Sequence, residues 1–194
     1  IVSSRMVCEN HMPQLASGLR WGAAAPANWT QDEVEVPTLH LLDDIEVYDQ
    51  AGGFLFLSTL DWNSGRQALL LDSLARNPRP VVVANPDLVA PRETGLTREP
   101  GFYAHDVQSR LGITPTFHGK PFASVYAEIE RRTGAVDPRR IVMVGDTLHT
   151  DILGGQSRGW GSVLITNHGL FAGQSVQKYI DESGVFPDWI APSI

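Results

Sequence analysis

The segment from residue 140 to residue 166 constrains the fold more than any other part of this sequence. The run Ile141–Val144 is short and apolar, which is typical of a strand buried inside a parallel sheet. Residues 151–158 predict a helix, and Ser162–Thr166 predicts a second strand. Strand, helix and strand at this spacing form a βαβ unit, in which the strands are parallel and the helix covers the sheet. We therefore expect an α/β fold.

The preceding part of the chain is less regular. Residues 64–76 predict a helix, because leucines recur along one helical stripe, and Val81–Val83 predicts the strand that follows it. Thr38–Leu42 and Phe54–Leu57 predict a pair of strands, with a turn just before the second. Residues 1–36 predict only helix and loop.

The pattern becomes regular after the stretch Gly112–Thr116. A short helix that includes Gln108–Leu111 ends at the first glycine of this stretch. We therefore expect two units, residues 1–113 and residues 114–194. In the second unit, Trp189–Ile194 predicts a strand at the edge of the sheet, since a proline cannot donate to a central ladder.

Composition excludes several classes of function. Fifteen Lys and Arg against 22 Asp and Glu give a net charge of −7, which repels phosphate backbones and argues against nucleic acid as a partner. Every apolar run is far shorter than the roughly 18 residues that a membrane-spanning helix needs, so we expect no membrane segment. Cys8 is the single cysteine and forms no internal disulfide, which favours a reducing, cytoplasmic setting.

Two carboxylates follow the strand Ile141–Val144. Gly145 and Asp146 come directly after it, and Asp151 stands five residues further on, at the start of the predicted helix. Ligands of open α/β sheets bind at the carboxyl ends of the strands, so both side chains face one crevice. Oxygen ligands of this kind suit Mg²⁺, which takes one or two carboxylates together with waters and a phosphate oxygen. The alternative is that Thr150 or Asp151 only caps the helix.

A lysine precedes another predicted helix. Pro121 suits the first helical turn, which would put Lys120 at the N-terminus of the helix, where an anion is already favoured. Lys120 at that position would form part of a phosphate-binding site. The alternative is an ordinary surface lysine, because a single lysine does not by itself indicate a binding site.

A third motif, Ala84-Asn85-Pro86-Asp87, ends the strand Val81–Val83, and by itself it predicts a turn. Together the three motifs resemble the haloacid dehalogenase (HAD) superfamily, and in particular its class IIA, NagD-like phosphatases. The stretch Gly145–Gly155 is similar to the acidic metal motif of that family, Gly119–Pro121 to its lysine motif, and Ala84–Asp87 to its cap substrate loop.

The resemblance implies a Rossmann-type parallel sheet as the core, with an α/β cap of the C2 type. Residues 1–113 would be the cap, and residues 114–194 the C-terminal half of the core. It implies a Mg²⁺-dependent phosphomonoester hydrolase that acts on a small phosphorylated metabolite through an aspartyl-phosphate. A non-catalytic module of the same fold, which binds a phosphorylated ligand or a protein partner, is the alternative.

The same resemblance implies a role for each candidate residue. Asp146 and Asp151 would serve the metal, and Lys120 would neutralise the phosphate during catalysis. Asn85 and Asp87 would orient the substrate from the cap.

One departure from the family pattern concerns the nucleophile. The family uses an Asp-x-Asp pair, yet none of the 13 aspartates here has another two positions away, and Asp43 and Asp44 are adjacent. We find no nucleophile in this sequence. We therefore expect that an N-terminal segment with that pair is missing and that the chain alone is inactive. We also expect it to pair with that segment or to form a homo-oligomer.

Overall fold

The computed structural model describes residues 1–92, 95–134 and 137–194, and helices alternate with strands through most of them. The helices are α1 (Ser4–His11), α2 (Ile45–Gln50), α3 (Ser64–Arg76), α4 (Pro100–Leu111), α5 (Ala123–Thr133), α6 (Leu153–Ser157) and α7 (Gln177–Ser183). The strands are β1 (Arg20–Ala24), β2 (Thr38–His40), β3 (Ala51–Phe56), β4 (Val81–Val83), β5 (Val89–Arg92), β6 (Gly95–Arg98), β7 (Thr116–Phe117), β8 (Val142–Gly145), β9 (Gly161–Ile165) and β10 (Trp189–Ala191).

A parallel sheet in the order β2-β1-β3-β4-β7 organises the first part of the chain. Alternate residues of β3 face opposite sides of this sheet. Phe54 and Phe56 pack with Tyr48 of α2 and Leu70 of α3, whereas Leu55 lies in a separate cluster with Cys8 of α1 and other buried residues. Helices therefore cover both faces, which is why the central strands β3 and β4 are apolar.

A second parallel sheet, in the order β10-β9-β8, organises the last part. The predicted βαβ unit is confirmed, as is the strand at the edge of the sheet. Ile152 and Leu164 are buried on one face of this sheet, and Met143 packs against a cluster around Tyr126 on the other.

The prediction that Thr38–Leu42 and Phe54–Leu57 form a strand pair is wrong, because β1 lies between β2 and β3. Trp21 pairs with a residue of β2 on one side and of β3 on the other. The strand was missed because its small residues carry no alternation. Gly22 needs to be small, since a Cβ there would lie 3.0 Å from side-chain atoms of Leu41 and Phe54.

Two further details differ from expectation. Asp49–Gly53 is not a turn: α2 continues to Gln50, and β3 begins at the next residue. An antiparallel hairpin, β5 with β6, follows β4 and was not anticipated.

The helix predicted at 64–76 and the strand Val81–Val83 are confirmed at the predicted bounds. Asn63 caps the first of these, because its Oδ1 accepts hydrogen bonds from the next turn. The helix end at Gly112 is also confirmed, since this residue has φ +69° and continues no helix. Strand β7, which follows the predicted domain boundary, pairs with β4 of the first sheet.

Within the described ranges, none of the helices is both long and apolar enough to cross a membrane.

Candidate active site

The segments that follow β4, β7 and β8 meet at a cavity of about 170 Å³, which we call the polar cavity. Its lining consists of Asp87, Val89, Ala90, Pro91, Lys120, Asp146, Thr147, His149, Thr150, Asp151 and Leu170. Four of the five predicted site residues are therefore brought together. Among the described residues, Asn85 is not one that lines this cavity.

Lys120 and Asp151 form an ion pair in the polar cavity, and the ammonium donates a hydrogen bond to Oδ1 of the carboxylate. The Asp151 side chain is 2% exposed, whereas that of Lys120 is 43% exposed. A buried carboxylate needs such a partner, because removing a charge from water is costly unless it is paired. Lys120 is therefore more than an ordinary surface lysine.

The second oxygen of Asp151 holds the backbone of its own loop. Oδ2 accepts a hydrogen bond from the Thr147 backbone N at 3.2 Å, at the start of a π-helical turn over Leu148–Ile152. The helix predicted at 151–158 is thus a π turn continued by α6. The capping alternative does not hold, because no side chain caps the start of the π turn or of α6. Asp151 instead accepts from the Thr147 backbone N, upstream of it, while it also pairs with Lys120.

Gly145 makes room for this carboxylate. A Cβ at Gly145 would lie 2.2 Å from Cγ of Asp151, a distance that no side chain tolerates. The glycine is required because the strand end and the buried carboxylate approach each other closely.

Asp146 is half-buried at the end of β8 and lies against the backbone of Gly169, which has φ +71°. A Cβ on Gly169 would coincide with Asp146 Oδ2, 1.4 Å away. Within the described chain, no hydrogen bond to the Asp146 carboxylate is formed. That carboxylate is consequently available to an external ligand.

The donor set fits Mg²⁺ rather than a metal held by several side chains. The described residues contain no group of three His, Cys, Asp or Glu side chains that could hold a metal ion. Mg²⁺ needs no such group, because it keeps several waters and is bound by one or two carboxylates and a substrate phosphate.

The prediction that Pro121 opens a helix is wrong. Helix α5 begins at Ala123, with Phe122 as its N-cap. The Phe122 ring stacks on Phe117, with centroids 4.8 Å apart, and its backbone N donates to the Gly119 carbonyl at 2.8 Å. These contacts fold the segment that carries Lys120 into a turn ahead of the helix.

Asp87 is held by the backbone around it. Its carbonyl accepts a hydrogen bond from the Gly101 backbone N at 3.0 Å, and its own N donates to Asn85 Oδ1 at 3.4 Å. Asn85 therefore serves the turn, as its sequence context alone predicts. Burial raises the pKa of the Asp87 carboxyl, and the nearby positive charge of Lys120 opposes that rise.

Sequence reasoning missed part of the cavity wall. Val89, Ala90 and Pro91 come from β5. This strand and its partner β6 are too short to show a detectable pattern in the sequence. His149, which is not among the predicted site residues, also lines the polar cavity. Its position between Thr147 and Asp151 was the available signal.

Comparisons with known proteins show which sequences and folds this chain is similar to. A family model described as HAD-hydrolase-like matches residues 117–194. The acid sugar phosphatase of Staphylococcus aureus is 32% identical over 90 residues, which cover 46% of this chain and 34% of that protein. The matched region therefore spans about a third of that relative.

Solved structures match over a longer range. A possible sugar phosphatase of the HAD superfamily from Cytophaga hutchinsonii has a TM-score of 0.78 and 25% identity, covering all of this chain and 70% of that one. A glycerol phosphate phosphatase from Mycobacterium tuberculosis, in complex with magnesium, has a TM-score of 0.67 and 22% identity, with coverage of 98% and 55%.

The fold is thus an HAD-like α/β fold of the Rossmann type, as the sequence predicts. Residues 117–194 are therefore similar to HAD-hydrolase-like proteins, and the whole chain has the fold of HAD-superfamily phosphatases.

Proposed function

We propose that this chain is part of a Mg²⁺-dependent phosphomonoester hydrolase that acts through an aspartyl-phosphate. The observation that carries the proposal is the Lys120–Asp151 ion pair beside the unpaired carboxylate of Asp146, within one cavity of the described chain. A fixed positive charge next to a free carboxylate suits a phosphate group with its metal ion. The magnesium-bound glycerol phosphate phosphatase of the same fold supports this proposal.

Each residue has a proposed role. Asp146 would hold Mg²⁺, which when bound supplies positive charge to the phosphoryl oxygens. Lys120 would neutralise the remaining phosphate charge, and Asp151 would keep its ammonium in place while supporting the metal site. Asp87 would contact the substrate from the loop after β4, and Asn85 would hold that loop in its turn.

The nucleophile would come from an Asp-x-Asp pair outside these 194 residues, because the sequence contains none. Residues 1–113 would then act as the cap and residues 114–194 as half of the core, with β7 hydrogen-bonded across to the cap sheet. The substrate would be a small phosphorylated metabolite. We place the protein in the cytoplasm, since its single cysteine allows no internal disulfide.

Hydrolysis of p-nitrophenyl phosphate tests the proposal, with the chain expressed together with its upstream coding sequence. We expect turnover that requires Mg²⁺ and that Asp146→Asn abolishes. The 194-residue chain alone should be inactive, and an added segment with the Asp-x-Asp pair should restore activity, because geometry rather than chain continuity is what the chemistry needs.

The missing Asp pair also favours a second function, a module that binds a phosphorylated ligand without hydrolysing it. Phosphate binding by the complete protein without turnover would establish this function and contradict the first.

A further inference from the structure

A second cavity opens between helices α3 and α4. It measures about 240 Å³, and we call it the arginine cavity because Arg98 and Arg110 both line it. Its described lining shares no residue with that of the polar cavity. A molecule bound there would therefore not compete for the polar cavity.

Small and apolar side chains along the facing sides of the two helices form the walls of the arginine cavity. Ala68 and Leu71 line it from α3, and Ala68 presents only a methyl group, which leaves the groove open. Phe102 and Tyr103 line it from α4, with their rings 5.4 Å apart at 85°. Phe102 is 37% exposed, so a planar ring that packs on it would remove aromatic surface from water.

Arg98 brings a positive charge to this aromatic surface. Its Cζ lies 4.5 Å from the centroid of the Phe102 ring, which is the geometry of a cation–π contact. Its backbone carbonyl accepts a hydrogen bond from Thr59 Oγ1 at 3.0 Å. Within residues 1–92, 95–134 and 137–194, no carboxylate forms an ion pair with Arg98. The guanidinium is thus held over a ring and keeps its donors for a ligand.

The carboxylate that lines the cavity, Asp106, is already paired. Its Oδ1 accepts a hydrogen bond from Arg110 Nε at 2.8 Å, and its Oδ2 accepts one from Gln67 Nε2 at 3.0 Å. Gln67 is 6% exposed, and its Oε1 accepts from Trp62 Nε1 at 3.0 Å, so the buried core holds this network in place. Asp106 is therefore a fixed support for Arg110.

Arg110 keeps most of its donors. Its side chain is 65% exposed, and its two Nη groups donate to no acceptor in the part of the chain that the structure describes. Among the described residues of the lining, two guanidinium groups face one carboxylate, so the net charge is positive. The Ser64 hydroxyl, at the start of α3, adds one more hydrogen-bonding group to the same cavity.

These groups select a flat organic anion. A guanidinium binds a carboxylate through two parallel hydrogen bonds, and the matching of their planes makes this pairing specific. One excess positive charge suits a single negative charge. The aromatic and apolar walls suit a ring next to that charge.

We propose that the arginine cavity is a second ligand site, which takes a small aromatic monocarboxylate. The carboxylate pairs with Arg98 and Arg110, and the ring packs on Phe102 and Tyr103. The site does not depend on the proposed phosphatase function. It is connected to the polar cavity through one hairpin, because Arg98 of β6 is the register partner of Val89 of β5, which lines that cavity.

Titration of the 194-residue chain with benzoate, followed by ligand-observed NMR, tests the proposal. Two further probes each lack one feature of benzoate: benzamide has the ring without the charge, and acetate has the charge without the ring. We expect benzoate to bind about tenfold more tightly than benzamide, because charge-assisted hydrogen bonds are the stronger ones. It should bind about fivefold more tightly than acetate, through its contact with the aromatic wall.

Arg98→Gln and Arg110→Gln should each weaken benzoate binding about fivefold, since each removes one cation from the site. Both arginines are exposed, so the variants should unfold at the temperature of the parent, which separates lost binding from lost folding. Arg131→Gln is the matched control. Like Arg110, Arg131 is an exposed helical arginine that pairs with a carboxylate of its own helix, but it lies outside the cavity. Its replacement should leave benzoate binding unchanged.

Three results would overturn the proposal. The first is that benzoate does not bind, and the second is that it binds no more tightly than benzamide or acetate. The third is binding that both Arg98→Gln and Arg110→Gln leave unchanged, which would place benzoate elsewhere on the protein.

Discussion

The Lys120 ammonium donates a hydrogen bond to Asp151, 31 residues further along the chain, and this contact joins the turn after β7 to the turn after β8. The carboxylate is buried and the ammonium is half-exposed, so the pair connects the interior of the protein to the polar cavity. Loss of Lys120 would leave a buried charge without its partner, which links stability and phosphate binding at one residue.

Lys120→Ala should therefore lower both the stability of the fold and its affinity for phosphate. We expect a loss of about 2 kcal/mol in the free energy of unfolding, below the ~3–5 kcal/mol of a fully buried pair because water reaches the ammonium. Phosphate binding should fall at least tenfold. Urea denaturation and calorimetric titration measure the two effects. Lys178→Ala is the control, since Lys178 and its partner Glu182 are both exposed. Equal behaviour of the two variants would contradict the role of Lys120.

Asp146→Asn should separate metal binding from stability. The Asp146 carboxylate accepts no hydrogen bond from the described residues, so its neutralisation should change the free energy of unfolding by less than about 0.5 kcal/mol. Mg²⁺ binding, measured by titration in the presence of phosphate, should be lost. Asp151→Asn should instead reduce stability, because Lys120 loses a charged partner. Normal Mg²⁺ affinity in the Asp146 variant would place the metal elsewhere.

Asp87→Asn should make stability depend differently on pH. Burial raises the pKa of Asp87 in the folded protein, so folding favours the protonated carboxyl. That contribution is present below the unfolded pKa of about 3.9 and is lost as the pH rises through the folded pKa. The variant should therefore melt at a higher temperature than the parent at pH 7, and the difference should vanish below about pH 4. If the variant still melts at a higher temperature than the parent below about pH 4, titration of Asp87 is not the cause of the difference.

Gly145→Ala should disrupt the site through packing alone. The added Cβ would meet Asp151 within 2.2 Å, and we expect at least about 2 kcal/mol of destabilisation. Gly65→Ala, in the first turn of α3, meets only the Asn63 side chain at 3.1 Å and should stay within about 1 kcal/mol of the parent. Thermal unfolding measures both variants. A Gly145 variant as stable as the Gly65 variant would exclude the close approach.

Local sequence patterns determined much of the fold. The apolar run over β4 and the leucine stripe of α3 predict these elements at their observed bounds. Each element has a single, unambiguous pattern of apolar residues along the chain. Strand β1 escaped detection, since Gly22 and its small neighbours are selected by residues far away in sequence. Likewise, Phe122 ends its turn by stacking on Phe117, a contact that no propensity of Pro121 reveals.

The sequence by itself determined which chemical groups are available: carboxylates after a buried strand, a lysine beside a proline, and a polar loop after a valine run. Only the tertiary structure decided which of them meet. Lys120, Asp146 and Asp151 share a cavity with Asp87, whereas Asn85 Oδ1 accepts a hydrogen bond from the Asp87 backbone N. Periodicity reports the neighbours of a residue along its own helix or strand. Contacts between the ends of different strands depend on how the two sheets pack, and that packing is a property of the whole chain.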